Sequence, residues 1–231
     1  MSNYLIILSG GVGTRMGADI PKQYLVVEKK PILYYTVHCF DFSLFKKVVI
    51  VASDSWRDFI TNSVCNDLDS CMILFAPAGK SRQESILNGM SALREMAADD
   101  DIIVIHDGAR PNLSKELVKN LIEANDNYDG VMPVLKVKDT VYRSIDGKQI
   151  SSLLNRDELY AGQAPESFKF GLYYRINTIL SEDELANVRG SSEIAFAKNL
   201  SIGFIAGEES NFKITTPDDL ERFKQILVDR K

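Results

Sequence analysis

Five short apolar runs, separated by stretches with helical periodicity, constrain this chain more than any other feature. They are Tyr4–Leu8, Lys47–Ala52, Met72–Ala76, Ile102–His106 and Gly130–Val134. Several are nearly continuous rather than alternating, the pattern of strands buried on both faces of a parallel sheet. Between them the spacing predicts helices over Ile32–Phe42, Trp56–Leu68, Arg82–Ala97 and Ser114–Asn125, the last with Ser114 as its N-cap. Strand–helix alternation of this kind predicts a doubly wound α/β fold with a Rossmann-like, mostly parallel sheet and right-handed crossovers. Ligands then bind beyond the carboxyl ends of the strands. The 231 residues fit one such domain, 1–231, with no internal repeat or low-complexity linker.

The pattern changes after Pro133. Residues of about 135–160 carry charges and an Asp146-Gly147 turn signal between two extended runs, which predicts a protruding β-hairpin arm. Glu158–Phe168 reads as irregular, Gly171–Leu180 as helix and Ser201–Ala206 as a further strand. Thr216-Pro217-Asp218-Asp219 opens a closing helix, with Thr216 or its predecessor as cap, Pro in the first turn and acids at the positive end.

The first strand runs into Ser9-Gly10-Gly11-Val12-Gly13-Thr14-Arg15-Met16-Gly17, and Pro21-Lys22 follows. Glycines permit positive φ and close backbone approach, and successive N–H groups can line an anion site. Arg15 and Lys22 add a guanidinium fork and a mobile point charge, the combination a triphosphate needs. Three rival readings fail on spacing. Gly11-x-Gly13-x-x-x-Gly17 is one residue too long for a dinucleotide fingerprint. Gly79-Lys80-Ser81 has the tail of a Walker A loop, but Leu74 stands where its first glycine belongs. No tyrosine begins a YxxxK dehydrogenase motif.

Composition removes other classes. A net charge of −5 argues against a nucleic-acid binder. No apolar run reaches the roughly 18 residues of a membrane span. The opening MSNYLIILSGG lacks the basic region and the length of a signal peptide. Three scattered cysteines, Cys39, Cys65 and Cys71, predict a reducing compartment, read as the cytoplasm. With only His38 and His106 available, a Cys/His zinc site is not expected.

The loop Gly10-Gly11-x-Gly13-x-Arg15-Met16-Gly17…Pro21-Lys22-Gln23-Tyr24-Leu25 resembles the signature of the sugar- and polyol-phosphate cytidylyltransferases. Further segments resemble the same family in order. They are Gly79-Lys-Ser-Arg82-Gln-Glu-Ser85, His106-Asp107-Gly108-Ala109-Arg110-Pro111, Lys138-Asp139-Thr140 with Asn155-Arg156, Gln163-Ala164-Pro165-Glu166-Ser167-Phe168, and Asn211-Phe212-Lys213-Ile214-Thr215 with Pro217-Asp218-Asp219-Leu220. The branches in view are methylerythritol-phosphate and ribitol-5-phosphate cytidylyltransferases. The resemblance implies a nucleotide-diphospho-sugar transferase type of fold and transfer of CMP from CTP to a small phosphorylated polyol, with pyrophosphate released. The readings kept beside it are another base or sugar phosphate on the same fold, and a non-catalytic nucleotide-binding protein.

What the resemblance implies for residues follows the chemistry. An ionised acceptor phosphate needs no general base, so catalysis comes from positioning and charge. Arg15, Lys22 and Lys213 are the expected catalytic cations. Ser9, Gly10, Gly11, Gly13, Gly79, Ser85, Asp107 and Gly108 are the expected nucleotide contacts, with Ser85 and the backbones of Ser9, Gly10 and Gly79 near the cytosine. Asp107 is the expected ligand for Mg²⁺ or another divalent cation, or a ribose contact, or else a helix cap or a partner for Arg110. Thr140 and Arg156, on the arm, are expected to bind the acceptor phosphate in a neighbouring subunit, making the protein a homodimer. Trp56, Tyr34-Tyr35 and Tyr173-Tyr174 read as packing residues.

Three departures from the family pattern stand out. The loop opens Leu8-Ser9-Gly10 where alanine and glycine are usual. Ala164 and Glu166 replace Thr and Gln in the turn. Gly190-Ser191-Ser192-Glu193 occupies the region where a Thr-Asp pair is usual near the acceptor. The segment Arg156–Gln163 leans toward the ribitol branch.

Overall fold

Both faces of the central strands are covered, and this sets the architecture. The computed structural model describes residues 1–11, 13, 20–188 and 190–230. The chain opens with β1 (Asn3–Leu8), then a small hairpin of β2 (Val26–Val27) and β3 (Lys30–Pro31). Alternation follows through α1 (Ile32–His38), β4 (Lys47–Ala52), α2 (Arg57–Ser63), β5 (Ile73–Pro77), α3 (Arg82–Ser91), β6 (Ile102–Asp107), α4 (Lys115–Ala124) and β7 (Gly130–Lys136). The arm carries β8 (Tyr142–Arg143) and β9 (Ser152–Leu153). After it come β10 (Tyr160–Gly162), β11 (Glu166–Lys169), α5 (Phe170–Thr178), α6 (Glu182–Asn187), α7 (Ser191–Ala197), β12 (Ile202–Ala206) and α8 (Pro217–Asp229).

The main sheet runs β10-β7-β11-β6-β1-β4-β5, with β12 added on β7. Pairs β1–β4, β1–β6, β4–β5 and β7–β12 are parallel. Strand β11 is antiparallel to both β6 and β7, and β10 is antiparallel to β7. Gly130 pairs with Phe168 on one side and Ile202 on the other, so β12 forms an edge.

Successive residues of a strand point to opposite faces, and two cores result. Leu5, Ile7, Val48, Ile50 and Val104 pack against Leu33 and Val37 of α1 and Leu117, Val118 and Leu121 of α4. Tyr4, Ile6, Val49, Val51, Ile103 and Ile105 pack against Ile86 and Met90 of α3, Phe170 and Tyr173 of α5, and Ile194 of α7. Each such buried side chain is worth about 1.5–3 kcal/mol relative to exposure. A third, smaller cluster holds Phe223 of α8 against Val27, Ile32 and Ile214.

The expected strands and helices are present, with corrected bounds. Helix α1 stops at His38, because Asp41 caps a separate 3₁₀ turn, Phe42–Leu44, by accepting from the Ser43 N–H. Helix α2 is entered through a 3₁₀ turn, Asp54–Trp56, and ends at Ser63; α3 ends at Ser91. Ser114 caps α4 by accepting from the Leu117 N–H, as expected. Thr216 and Asp219 form a reciprocal capping box at α8. The stretch Glu158–Phe168, expected to be irregular, instead supplies β10 and most of β11; Gly162 and Pro165 interrupt the alternation that would have revealed them.

In the arm, Tyr142 pairs with Leu153 and Arg143 with Ser152. Gly147 takes φ +69°, and Asp146 Oδ1 accepts from the N–H groups of Lys148 and Gln149, so the turn sits at the Asp-Gly pair. Among the described residues no helix is long and apolar enough to cross a membrane.

Candidate functional site

The carboxyl ends of β1, β5 and β6 face one cavity of about 360 Å³. Gly10, Gly11 and Gly13 come to it from the first loop, and Gly79 and Ser85 from the β5–α3 connection. Asp107 and Gly108 arrive from the end of β6, and Lys22 and Lys213 from more distant segments. Nine expected residues therefore meet in one place. Arg15 lies outside the described residues.

Close backbone contact explains the glycines. A Cβ on Gly10 would stand 2.4 Å from the Ala78 Cβ, so the first loop lies directly on the β5–α3 connection. Gly13 has φ +66°, a conformation that glycine adopts without strain, and it stacks on the Lys22 backbone. A Cβ on Gly108 would stand 2.8 Å from the Leu8 carbonyl oxygen, which already accepts the Gly108 N–H at 2.8 Å.

Two side chains absent from the expected roles strap this loop down. Gln23 Nε2 donates to the carbonyls of Ser9 at 2.7 Å and Gly11 at 2.8 Å. The Tyr24 hydroxyl donates to the Ser9 carbonyl at 2.9 Å, and the Tyr24 ring stacks on Trp56 at 4.1 Å. Ser9 is buried away from the cavity, with its N–H given to Val51 and its carbonyl to these straps. Gln23 and Tyr24 follow Lys22 directly, and a polar pair immediately after a phosphate-loop cation was the available signal.

Ser85 works within the protein. Its Oγ accepts from the Gly79 N–H at 2.9 Å and donates to the Ser81 carbonyl at 3.0 Å. The hydroxyl thereby fixes the Gly79 turn at the cavity wall.

Asp107 is the electrostatic centre. Lys213 Nζ lies 3.0 Å from its carboxylate, Arg110 Nε 3.3 Å and Arg82 Nε 3.4 Å. Burial alone would raise its pKa, but Arg82, Lys213 and Arg110 together hold it well below the usual carboxylate range. Asp107 thus serves Arg110, as one reading anticipated, and two further cations besides. Lys213 is carried in by the Ile214 N–H, which donates to the Ala109 carbonyl at 2.9 Å, and Arg110 Nη1 donates to the Asn211 carbonyl at 2.9 Å. His106 is fully buried and its Nε2 donates to the Arg110 carbonyl at 3.0 Å. Burial lowers the pKa of this imidazole to about 4, so it is neutral at pH 7.

Lys22, Lys80, Arg82 and Lys213 line the cavity, and Asp107 is the one carboxylate that does so among the described residues. A wall with this excess of cations suits a polyanion. Lys80 and Arg82 carried no assigned role in the sequence, because a cation at a helix start ordinarily reads as a solvated surface residue. No group of three or more His, Cys, Asp or Glu side chains able to hold a metal occurs among the described residues. Mg²⁺ takes only one or two protein carboxylates and completes its octahedron with water and substrate phosphates. Asp107, already engaged by Arg82, Arg110 and Lys213, would be the cavity-lining carboxylate to meet an ion carried in on a triphosphate.

Beyond Asp107 the wall continues into a polar cluster. Arg82 Nη2 lies 3.5 Å from Glu166 Oε2, and its Nη1 donates to Ser191 Oγ. Burial works to lower the Arg82 pKa, but Asp107 and Glu166 outweigh it and keep the guanidinium charged. The Ser192 N–H donates to Glu166 Oε1 at 3.3 Å. Thr140 and Arg156 are exposed on the arm and do not line this cavity; Arg156 Nη1 donates to the Lys138 carbonyl at 3.0 Å.

A family model described as 2-C-methyl-D-erythritol 4-phosphate cytidylyltransferase (IspD) matches residues 4–229. Solved structures agree with it. The 2-C-methyl-D-erythritol 4-phosphate cytidylyltransferase of Francisella tularensis is 26% identical, with TM-score 0.82 over 97% of this chain and 99% of that one. The 4-diphosphocytidyl-2C-methyl-D-erythritol synthase of Anaerococcus prevotii is 25% identical, with TM-score 0.80 over 98% of each chain. The bifunctional IspDF of Campylobacter jejuni is 26% identical, with TM-score 0.77 over 96% of this chain and 54% of its own length.

Proposed function

The chain belongs to the 2-C-methyl-D-erythritol 4-phosphate cytidylyltransferase family, and on that footing we propose that its cavity binds CTP and transfers CMP to the phosphate of 2-C-methyl-D-erythritol 4-phosphate. The observation that carries this reading is the cationic wall of Lys22, Lys80, Arg82 and Lys213 around the Asp107 carboxylate, at the carboxyl ends of parallel strands.

A phosphate oxygen of the acceptor attacks the α-phosphorus of CTP in line. The new oxygen–phosphorus bond forms as the bond from the α-phosphorus to the β-phosphate oxygen breaks, and pyrophosphate leaves. The acceptor phosphate is already ionised, so rate comes from holding the two anions together and neutralising the charge that develops. Lys22 and Arg15 are assigned to the β- and γ-phosphates, and Lys213 to the α-phosphate. A divalent cation held by Asp107 would neutralise phosphate charge further and orient the triphosphate.

Cytosine differs from uracil in presenting an amino donor, which a backbone carbonyl can accept. The Gly10–Ala78 contact and the Ser85–Gly79 hydrogen bond hold backbone at the wall for this purpose. Ser85 then acts on the base through the loop it fixes.

The arm is assigned to dimerisation. Tyr142, Ile145, Ile150 and Leu153 are each more than half exposed on it, an apolar set that a second copy would cover. Thr140 and Arg156 would reach the acceptor phosphate of that copy, Arg156 through a bidentate grip. The thiols of Cys39, Cys65 and Cys71 are free, which suits the reducing cytoplasm. Thermal shift with CTP and UTP in Mg²⁺ tests the nucleotide: CTP should stabilise the protein well beyond UTP, and equal shifts would sink the cytidine assignment. Sedimentation tests the arm: a dimer is expected, and a monomer at working concentration would remove Thr140 and Arg156 from the site.

A further inference from the structure

Lys213 reaches Asp107 from a stretch with no regular structure of its own. Between β12 and α8, residues 207–215 form neither helix nor strand. Contacts with other segments set the place of this backbone, and two buried amides supply much of the grip. Gln163 is buried and Asn211 fully so. Gln163 Nε2 donates to the Glu208 carbonyl at 2.9 Å and to the Asn211 carbonyl at 3.3 Å, while its Oε1 accepts the Glu208 N–H at 3.1 Å. Asn211 Nδ2 donates to the Ala164 carbonyl at 2.7 Å. The approach is close: a Cβ on Gly207 would stand 2.5 Å from Gln163 Oε1. Both sides hang on the end of β7, since the Gln163 N–H donates to the Pro133 carbonyl and the Gly207 N–H to the Val134 carbonyl, each at 2.8 Å.

We propose that Gln163 and Asn211 form a clamp of positioning residues that sets Lys213 against Asp107 for the transfer step. The part Lys213 plays in that step rests on the cytidylyltransferase reading above; the clamp rests on its own contacts. The Asn211 carbonyl, two residues before Lys213, is gripped from two sides, by Gln163 and by Arg110 Nη1 at 2.9 Å. One residue after Lys213, the Ile214 N–H is given to the Ala109 carbonyl at 2.9 Å. The backbone that carries the ammonium is thus fixed before and after it, and the ammonium comes to 3.0 Å from the Asp107 carboxylate. Removing a buried amide from this clamp would leave backbone carbonyl and N–H groups without partners, so the segment would shift to regain them. A displacement of about 1 Å in a group that meets the reacting phosphate can cost roughly 100-fold in rate.

A double-mutant cycle on the full chain tests whether the clamp acts through Lys213: wild type, Gln163→Met, Lys213→Ala and the two together, with CTP, Mg²⁺ and 2-C-methyl-D-erythritol 4-phosphate. Gln163→Met keeps the length of the side chain and removes its hydrogen bonds. It should lower kcat roughly 10- to 100-fold, with KM for CTP within about threefold. In the Lys213→Ala background the same change should move kcat by less than about threefold, because a group that acts through another then has nothing left to position. Gln163→Asn, which keeps an amide on a shorter chain, should fall between wild type and Gln163→Met, and it carries the test if Gln163→Met does not fold. Acylation of lysines, read by peptide mass spectrometry, follows the clamp without turnover. Lys213 should label several-fold faster in the Gln163 variants as its pair with Asp107 loosens, with Lys80 unchanged. A kcat for Gln163→Met within about threefold of wild type, or an equal loss of kcat in both backgrounds, would overturn the clamp. So would Lys213 labelling at the wild-type rate in the Gln163 variants. A wild-type protein that turns over no acceptor, while its Gln163 variants show the faster labelling, would count against the assigned reaction and leave the clamp standing.

Discussion

Lys213 Nζ stands 3.0 Å from the Asp107 carboxylate, joining a segment near the chain's end to the tip of β6 at the cavity wall. Asp107 also holds Arg82 and Arg110, so Lys213 is oriented as well as charged. Lys213→Ala should lower kcat by roughly 10²–10³-fold, the loss typical of one charge-stabilising donor. The melting temperature should move little, because the ammonium is partly exposed. Steady-state pyrophosphate release checks this; a variant within tenfold of wild type would remove Lys213 from the chemistry.

The contact of Gly10 with Ala78 leaves no room for a methyl group. Gly10→Ala must part the first loop from the β5–α3 connection or shift both. The expected cost is about 1–3 kcal/mol of stability, accompanied by weaker CTP binding. Denaturant melts and calorimetric titration with CTP would reveal it.

Ser85→Ala should act through Gly79. The Gly79 N–H would lose its acceptor inside the protein, at a cost of about 1–3 kcal/mol if it stays buried. CTP affinity should fall even though the hydroxyl is committed to Gly79 and Ser81. Unchanged affinity with lowered stability would confine Ser85 to a structural role.

His106 predicts a pH dependence of stability. Its folded pKa lies near 4, against about 6.5 for a free imidazole. Between these values the unfolded chain binds a proton that the folded chain does not, so stability falls as pH falls through this window. The contribution is fully present above pH 6.5. From pH 7.5 to pH 5 it should shrink by about 2 kcal/mol. Urea melts of wild type and His106→Gln at both values should show that part of the slope only in wild type.

Much of the fold was legible because the buried strands are apolar and β-branched. Lys47–Ala52 matches its strand end for end, and Ile102–His106 misses one residue. What escaped detection lacked a local signal. The β2–β3 turn uses Glu28 and Lys29 at φ 46° and 70° instead of Asn-Gly. Strand β11 begins directly after Pro165 and owes its place to β6 and β7 on either side. In the site, glycines and Asp107 announced themselves through their loops. Gln23, Tyr24 and Arg82 did not, because their work is done on partners distant in the chain or on backbone atoms that sequence does not mark. Glu166 was visible only as an exception to a pattern, and its partner Arg82 became apparent in three dimensions.

The most direct measurement is pyrophosphate release with CTP and Mg²⁺ against 2-C-methyl-D-erythritol 4-phosphate, ribitol 5-phosphate and glycerol 3-phosphate, in wild type and in Arg15→Ala and Lys22→Ala. Release with 2-C-methyl-D-erythritol 4-phosphate that vanishes in both variants is the result expected. Release confined to another acceptor, or none from a protein that still binds CTP, would contradict the assigned reaction.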